Sequence, residues 1–111
     1  MRKKILLLGS TGSIGRSSLN IIRNYKSKLE IVALSTNKNI RLIIKQSIEF
    51  KVKNLIINDF ESYKKVLQYG LNKKIRIFSN ISDFLKNNKK KFDVTIVGIS
   101  GFEGLDPTLK V

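Results

Sequence analysis

The 111-residue sequence contains no cysteine, no histidine and no tryptophan, and it has a single proline. Without thiols or imidazoles it can build no disulfide, thiolate nucleophile, histidine base, or Cys or His metal site. Chemistry must then come from a cofactor, from hydroxyls, from lysine or from carboxylates. Carboxylates are also scarce: eight Asp and Glu stand against 22 Lys and Arg, for a net charge of +14. Asp59, Glu61, Asp83, Asp93, Glu103 and Asp106 are dispersed along the chain, with no paired spacing that suggests a metal site. They read as structural or solvated, and no catalytic or metal-binding residue is assigned. Long hydrophobic runs are missing too. Met1-Arg2-Lys3-Lys4 leads into an apolar run that stops at Gly9, short of the roughly 7 to 15 residues of a secretory core and the about 20 of a membrane helix. The chain therefore reads as soluble and unprocessed, with no membrane partner. A lack of cysteine is compatible with the cytoplasm, which is the expected location.

The basic excess raises nucleic-acid binding as a reading. The lysines are spread over many segments, however, and Lys73-Lys74 and Lys89-Lys90-Lys91 sit beside asparagine in what read as solvated connections. No aromatic RNA-binding strand, zinc knuckle or helix-turn-helix signal accompanies them. No nucleic-acid partner is expected. With 41% hydrophobic residues the chain should fold, and its length suits one domain, residues 1–111.

The organising stretch is Gly9 to Gly15, GSTGSIG, set between the apolar run Ile5 to Leu8 and an amphipathic stretch from Ile14 to Tyr25. A strand enters a glycine-rich turn that opens a helix. Gly9 permits the sharp bend, Gly12 lets a ligand approach the backbone, and Gly15 allows close helix packing. Ser10, Thr11 and Ser13 add hydroxyls. Free N–H groups at a helix start, with the positive end of its dipole, suit a pyrophosphate. A P-loop would need glycine at Ser10 and lysine at Arg16, so that motif fails. A tight turn that binds nothing is the plain structural alternative.

Further along, Ile14, Ser18, Ile21, Ile22 and Tyr25 predict the buried face of the first helix, with Arg16, Asn20 and Arg23 opposite. Leu29 to Leu34 predicts a second strand that ends in a tip, Ser35 to Asn39. An NAD site usually carries an acid there for the ribose hydroxyls. This tip has hydroxyls, amides and Lys38, which favours a 2′-phosphate and hence NADP; Asn39 also suits a helix N-cap. Ile40, Ile43, Ile44, Ser47 and Ile48 predict the next helix face. Strands at Asn54 to Asn58, Ile75 to Phe78 and Asp93 to Val97 alternate with helices at Glu61 to Gln68 and, after the N-cap candidates Ser79, Asn80 and Ser82, to about Asn87. This alternation predicts an α/β fold with an open, doubly wound parallel sheet. The turns after strands one, two and five should converge on one ligand, the last of them being Gly98 to Gly104. Asp106-Pro107 begins a helix that stops at Val111, so the chain reads as a piece of something longer.

GSTGSIG, TNKN at Thr36 to Asn39 and IVGISGFEGL at Ile96 to Leu105, all placed on strand ends, make the chain resemble the N-terminal NADPH-binding part of the 1-deoxy-D-xylulose 5-phosphate reductoisomerases. The resemblance covers nearly the whole chain. It implies a Rossmann-like, mostly parallel domain, incomplete at its C-terminus. In the family, 1-deoxy-D-xylulose 5-phosphate is rearranged and reduced by NADPH to 2-C-methyl-D-erythritol 4-phosphate, in non-mevalonate isoprenoid synthesis, with Mg²⁺ or Mn²⁺ assisting. It further implies cofactor contacts at Thr11, Gly12, Ser13, Ile14, Asn37, Lys38 and Asn39, a phosphorylated sugar substrate and a homodimer. The family usually has glycine where this chain has Asn37, a residue that tolerates positive φ. Metal, substrate and lid residues would lie downstream, leaving this chain inactive alone. Two alternatives stay open: another NADP-dependent reductase, such as a semialdehyde dehydrogenase, and a nucleotide-sensing module without chemistry.

Overall fold

In a computed structural model, which describes residues 2–69, 74–87 and 92–98, strands and helices alternate along the whole described chain. The strands are β1 (Lys3–Leu8), β2 (Leu29–Thr36), β3 (Asn54–Ile57), β4 (Arg76–Phe78) and β5 (Val94–Val97). The helices are α1 (Ser13–Arg23), α2 (Ile40–Phe50), α3 (Phe60–Tyr69) and α4 (Ile81–Asn87). The expected turn beyond Gly98, the helix from Asp106, and Lys73 and Lys89 to Lys91 lie outside the described residues.

All five strands are parallel, in the order β4-β3-β2-β1-β5. The chain steps outward from β1 to β4 and then returns to the other side of β1. The order therefore reverses between β1 and β5, and a crevice opens beyond their carboxyl ends. Ile5, Leu6 and Leu7 of β1 are all buried, as a parallel strand covered on both faces requires. Alternate residues feed two cores. Ile5 and Leu7 join Leu19 and Ile22 of α1 and Ile43 of α2, while Leu6 joins Ala33, Ile56 and Phe84 of α4 on the opposite face. Right-handed crossovers account for this division, since helices change face when the direction of travel reverses. Between Ile5 and Leu6 the register against β2 is irregular, so that Ile5 pairs with Ile31 and Leu6 with Ala33. Val32 is thereby skipped in the pairing, and its carbonyl accepts from Asn54 Nδ2 at 2.9 Å.

The buried face of α1 differs from the expected one. Ile22 is buried as expected, but with Gly15 and Leu19, whereas Ile14, Ile21 and Tyr25 are half or more exposed. The cause is steric. A Cβ at Gly15 would collide with the Gly9 carbonyl oxygen and lie 2.6 Å from Ser10 Cα, so only the glycine edge of the helix can meet the turn. Ile14, about 100° away on the helix, is turned aside. On α2, Ile43 and Ser47 are buried and Ile40 and Ile44 pack against the core as expected, but Ile48 is exposed, and Gln46 takes a buried position. Arg23 at the end of α1 pairs with Glu49 of α2, and the Arg23 and Lys26 cations lie over the Phe50 ring at 5.4 and 4.8 Å, which ties the two helix ends together.

The glycines of the turn should respond differently to substitution. Gly15→Ala forces backbone apart and is expected to cost about 2 kcal/mol or more. At Gly12 an added Cβ meets nothing nearer than 3.6 Å and φ is −84°, so Gly12→Ser should cost under about 0.5 kcal/mol. Urea denaturation of both variants checks the contrast, and equal losses would contradict it.

Candidate functional site

The site begins at the glycine turn. Gly9 has φ 77°, the left-handed conformation that glycine adopts freely. Its N–H donates to Ser35 Oγ at 2.8 Å, and Ser10 N–H donates to the Ser35 carbonyl at 2.9 Å. Thr11 and Thr36 hydroxyls pair at 2.6 Å. Ser35 and Thr36, expected in the tip, are instead the buried last residues of β2. The pairing with the turn extends the strand, and the free tip is reduced to Asn37, Lys38 and Asn39.

Ser10 was expected to offer its hydroxyl to a ligand; it is fully buried and donates to Gln46 Oε1 at 2.7 Å. Gln46 Nε2 in turn donates to the Ser10 carbonyl at 2.9 Å. This two-point contact from α2 holds the turn in place. Sequence reasoning missed Gln46, whose signal is a lone amide on the same helical stripe as Ile43.

Gly98 follows β5 and is also packed into the turn. Its N–H donates to the Leu8 carbonyl at 2.7 Å, and a Cβ on it would lie 2.9 Å from Gly15 N. Gly9, Gly15 and Gly98 thus bring three backbones together at the reversal of strand order.

Around this point a cavity of about 270 Å³ is lined by Thr11, Gly12, the tip Asn37 to Asn39, and Gly98, together with Asn58 at the end of β3. The turns after strands one and two meet here with Gly98, the described residue of the turn expected after strand five, and Asn58 adds a residue that sequence reasoning did not place here. Ser13 and Ile14 open α1 beside the cavity. Both are exposed, and Ser13 lines the neighbouring cleft between α1 and α2.

Helix capping separates α1 from the others. Asn39 Oδ1 accepts from Leu42 N–H at 3.2 Å and caps α2, as expected. Asp59 Oδ2 accepts from Ser62 N–H at 3.1 Å on α3, and Asn80 Oδ1 from Asp83 N–H at 2.8 Å on α4. The cap of α1 is Gly12, which has no side chain to offer, and the first turn carries no acid. Among the described residues no side chain caps the N–H groups at this helix start, the arrangement that suits an external acceptor. Lys38 is exposed on the tip. Asn37 has no positive φ, since Lys51 alone does so among the described non-glycine residues, so its replacement of glycine imposes no strain. Its carbonyl accepts from Asp59 N–H at 3.2 Å.

The Asp59 carboxyl is held below its ordinary value, chiefly by the Ser62 hydroxyl at 2.8 Å and then by the Ser62 N–H, with Lys38 and Lys65 contributing. Asp93 accepts from Lys4 N–H at 2.8 Å, and Glu61 lies 3.5 Å from Lys64. Among the described residues no three Asp, Glu, His or Cys group together as metal ligands would. Nor is any described helix long and apolar enough to cross a membrane.

A family model, 1-deoxy-D-xylulose 5-phosphate reductoisomerase, matches residues 5–111. The enzyme of that name from Pelagibacter ubique is 41% identical over 98% of this chain, which spans 29% of the relative's length. The reductoisomerase structure from Zymomonas mobilis in complex with NADPH superposes with a TM-score of 0.80 at 24% identity, covering 98% of this chain and 29% of that one. A reductoisomerase crystal structure with NADPH, fosmidomycin and magnesium gives 0.70 at 26% identity, over 87% of this chain and 24% of that one.

Two outcomes test the supports of the site. Gln46→Leu leaves the buried Ser10 hydroxyl and carbonyl short of their partner and is expected to cost about 2 to 4 kcal/mol in urea denaturation; a loss under about 0.5 kcal/mol would contradict the assigned role. For Asp59, a lowered folded pKa means stability that is present above the unfolded carboxylate value and lost as pH falls through the folded one. The melting temperature of Asp59→Ala should therefore lie furthest below wild type at neutral pH, and the gap should close as the medium is acidified below the ordinary carboxylate range. A gap that is constant with pH would contradict it.

Proposed function

The chain belongs to the 1-deoxy-D-xylulose 5-phosphate reductoisomerase family, and we propose that it is the NADPH-binding part of such an enzyme. The observation that carries this reading is the uncapped start of α1 at Gly12, opening on the cavity shared with Asn37 to Asn39. The fold has room for a side chain at Gly12 and φ there is ordinary, so protein packing does not account for the glycine; close approach of a pyrophosphate does. In this proposal the pyrophosphate sits against the N–H groups of Ser13 and Ile14, with the Thr11 hydroxyl and Gly12 beside it. Asn37, Lys38 and Asn39 take the adenosine ribose and its 2′-phosphate, with the Lys38 ammonium supplying charge. Asn39 keeps its cap while it does so, because the cap uses one amide oxygen.

Bound NADPH supplies the hydride for a carbonyl reduction; this chain's share is to hold and orient it. The proposal extends to the whole protein: conversion of 1-deoxy-D-xylulose 5-phosphate to 2-C-methyl-D-erythritol 4-phosphate, with a divalent cation and the phosphorylated sugar held by polypeptide outside this chain. A homodimer in the cytoplasm, without nucleic-acid partners, belongs to the same proposal. Family membership supports this over the semialdehyde dehydrogenase, and the open helix start supports cofactor binding over a turn that binds nothing.

The test is a titration of the 111-residue chain with NADPH and with NADH at two salt concentrations. NADPH should bind tighter, and its advantage should shrink as salt rises. Lys38→Glu should reduce the ratio of the two affinities roughly tenfold at low salt, the effect of about 1.4 kcal/mol. An unchanged ratio would remove Lys38 from the site, and a lack of NADPH binding by the folded chain would contradict the proposal.

A further inference from the structure

Among the described residues, nothing covers the flank of α1 that the expected face put inside the core. Arg16, Asn20 and Arg23 line the cleft against Leu42, Lys45 and Glu49 of α2, so that flank faces α2. Leu19 and Ile22 point into the sheet core. At about 100° per residue, Ile14, Ser18 and Ile21 fall on the flank opposite α2. The sheet order puts β5 on that side of β1. Val94 and Ile96 pair with Ile5 and Leu7 in parallel register and so share the α1 face of the sheet. Ile14 is 50% exposed, Ile21 63%, Tyr25 in the following turn 50% and Val94 40%. Scattered single apolar residues are ordinary on a surface, whereas a run of them along one helix flank and the adjoining strand marks an interface.

We propose that this ledge, made by Ile14, Ile21 and Tyr25 beside Val94, is the docking face for the remaining polypeptide of a family-length protein. The ledge would take an apolar element of that polypeptide, packed beside α1 and over β5. The occupant follows from length: this chain spans 29% of the Pelagibacter ubique relative and 24 to 29% of the similar solved structures, so most of a family-length protein lies outside it. Within the described chain, α2 flanks one side of α1 across a cleft and the core takes another. The inference rests on the family reading for the existence of that polypeptide, and not on cofactor binding.

The absence of cysteine makes each engineered thiol unique in this chain. Ile21→Cys, Tyr25→Cys and Val94→Cys, with Ile48→Cys on α2 as the control, should be made both in the 111-residue chain and in a chimaera that joins it to the rest of the Pelagibacter ubique protein. Maleimide labelling, located by peptide mass mapping, should be at least tenfold slower in the chimaera at positions 21, 25 and 94 and unchanged at 48. Circular dichroism confirms folding, and the three positions stand in for one another if one variant fails to fold. Equal rates in both proteins would overturn the proposal. Concentration-dependent protection of the isolated chain would overturn it in favour of a second copy. Protection of the isolated chain that is relieved by deleting residues 99–111 would overturn it in favour of the chain's own last residues.

Discussion

The structure depends on the mutual approach of three glycine backbones. Gly15 lies where a Cβ would strike the Gly9 carbonyl oxygen, and Gly98 lies where one would come within 2.9 Å of Gly15 N. This contact closes the first helix onto the end of β1 and locks β5 against both. It places the start of α1 at the crevice where strand order reverses, the position at which α/β sheets bind ligands. It also fixes the rotation of α1. Leu19 and Ile22 go to the core and the Ile14 and Ile21 flank goes outward, whatever the hydrophobicity of the helix would prefer.

A second set of contacts joins the turn to the Asn37 to Asn39 tip. Ser35 binds the Gly9 and Ser10 backbone, Thr36 binds Thr11, and Gln46 reaches from α2 to both ends of Ser10. These hydroxyls and the amide are buried or partly buried, so each hydrogen bond is worth more than its surface equivalent and each loss leaves an unpaired group. The result is a pre-set distance between the uncapped helix start and the Asn37 to Asn39 tip. In the proposed reading, both halves of the dinucleotide site are held before any ligand arrives, which lowers the ordering cost of binding.

Much of this was legible in the sequence. The alternation of apolar runs with helical patterns set out the parallel sheet, GSTGSIG located the turn, and Asn39 announced its own cap. What was not legible were effects of close approach. The count of apolar residues favoured Ile14, Ile21 and Tyr25 as the inner face, and only the collision at Gly15 turns them out. Ser10, Ser35 and Thr36 look like free hydroxyls until pairing between the turn and β2 buries them. Gln46 gives no local sign that its partner is 36 residues away. Asn54 likewise serves a carbonyl freed by a register irregularity that no periodicity reveals.

In the proposed site, the backbone at the start of α1 receives the pyrophosphate of NADPH. The most direct measurement is a ¹⁵N–¹H correlation spectrum of the labelled chain during NADPH titration, with inorganic pyrophosphate as a second titrant. The amides of Gly12, Ser13, Ile14 and Gly15 should shift most with both titrants, and those of Asn37, Lys38 and Asn39 should shift with NADPH alone. Shifts that leave Gly12 to Gly15 unmoved while other amides respond would contradict the proposed site.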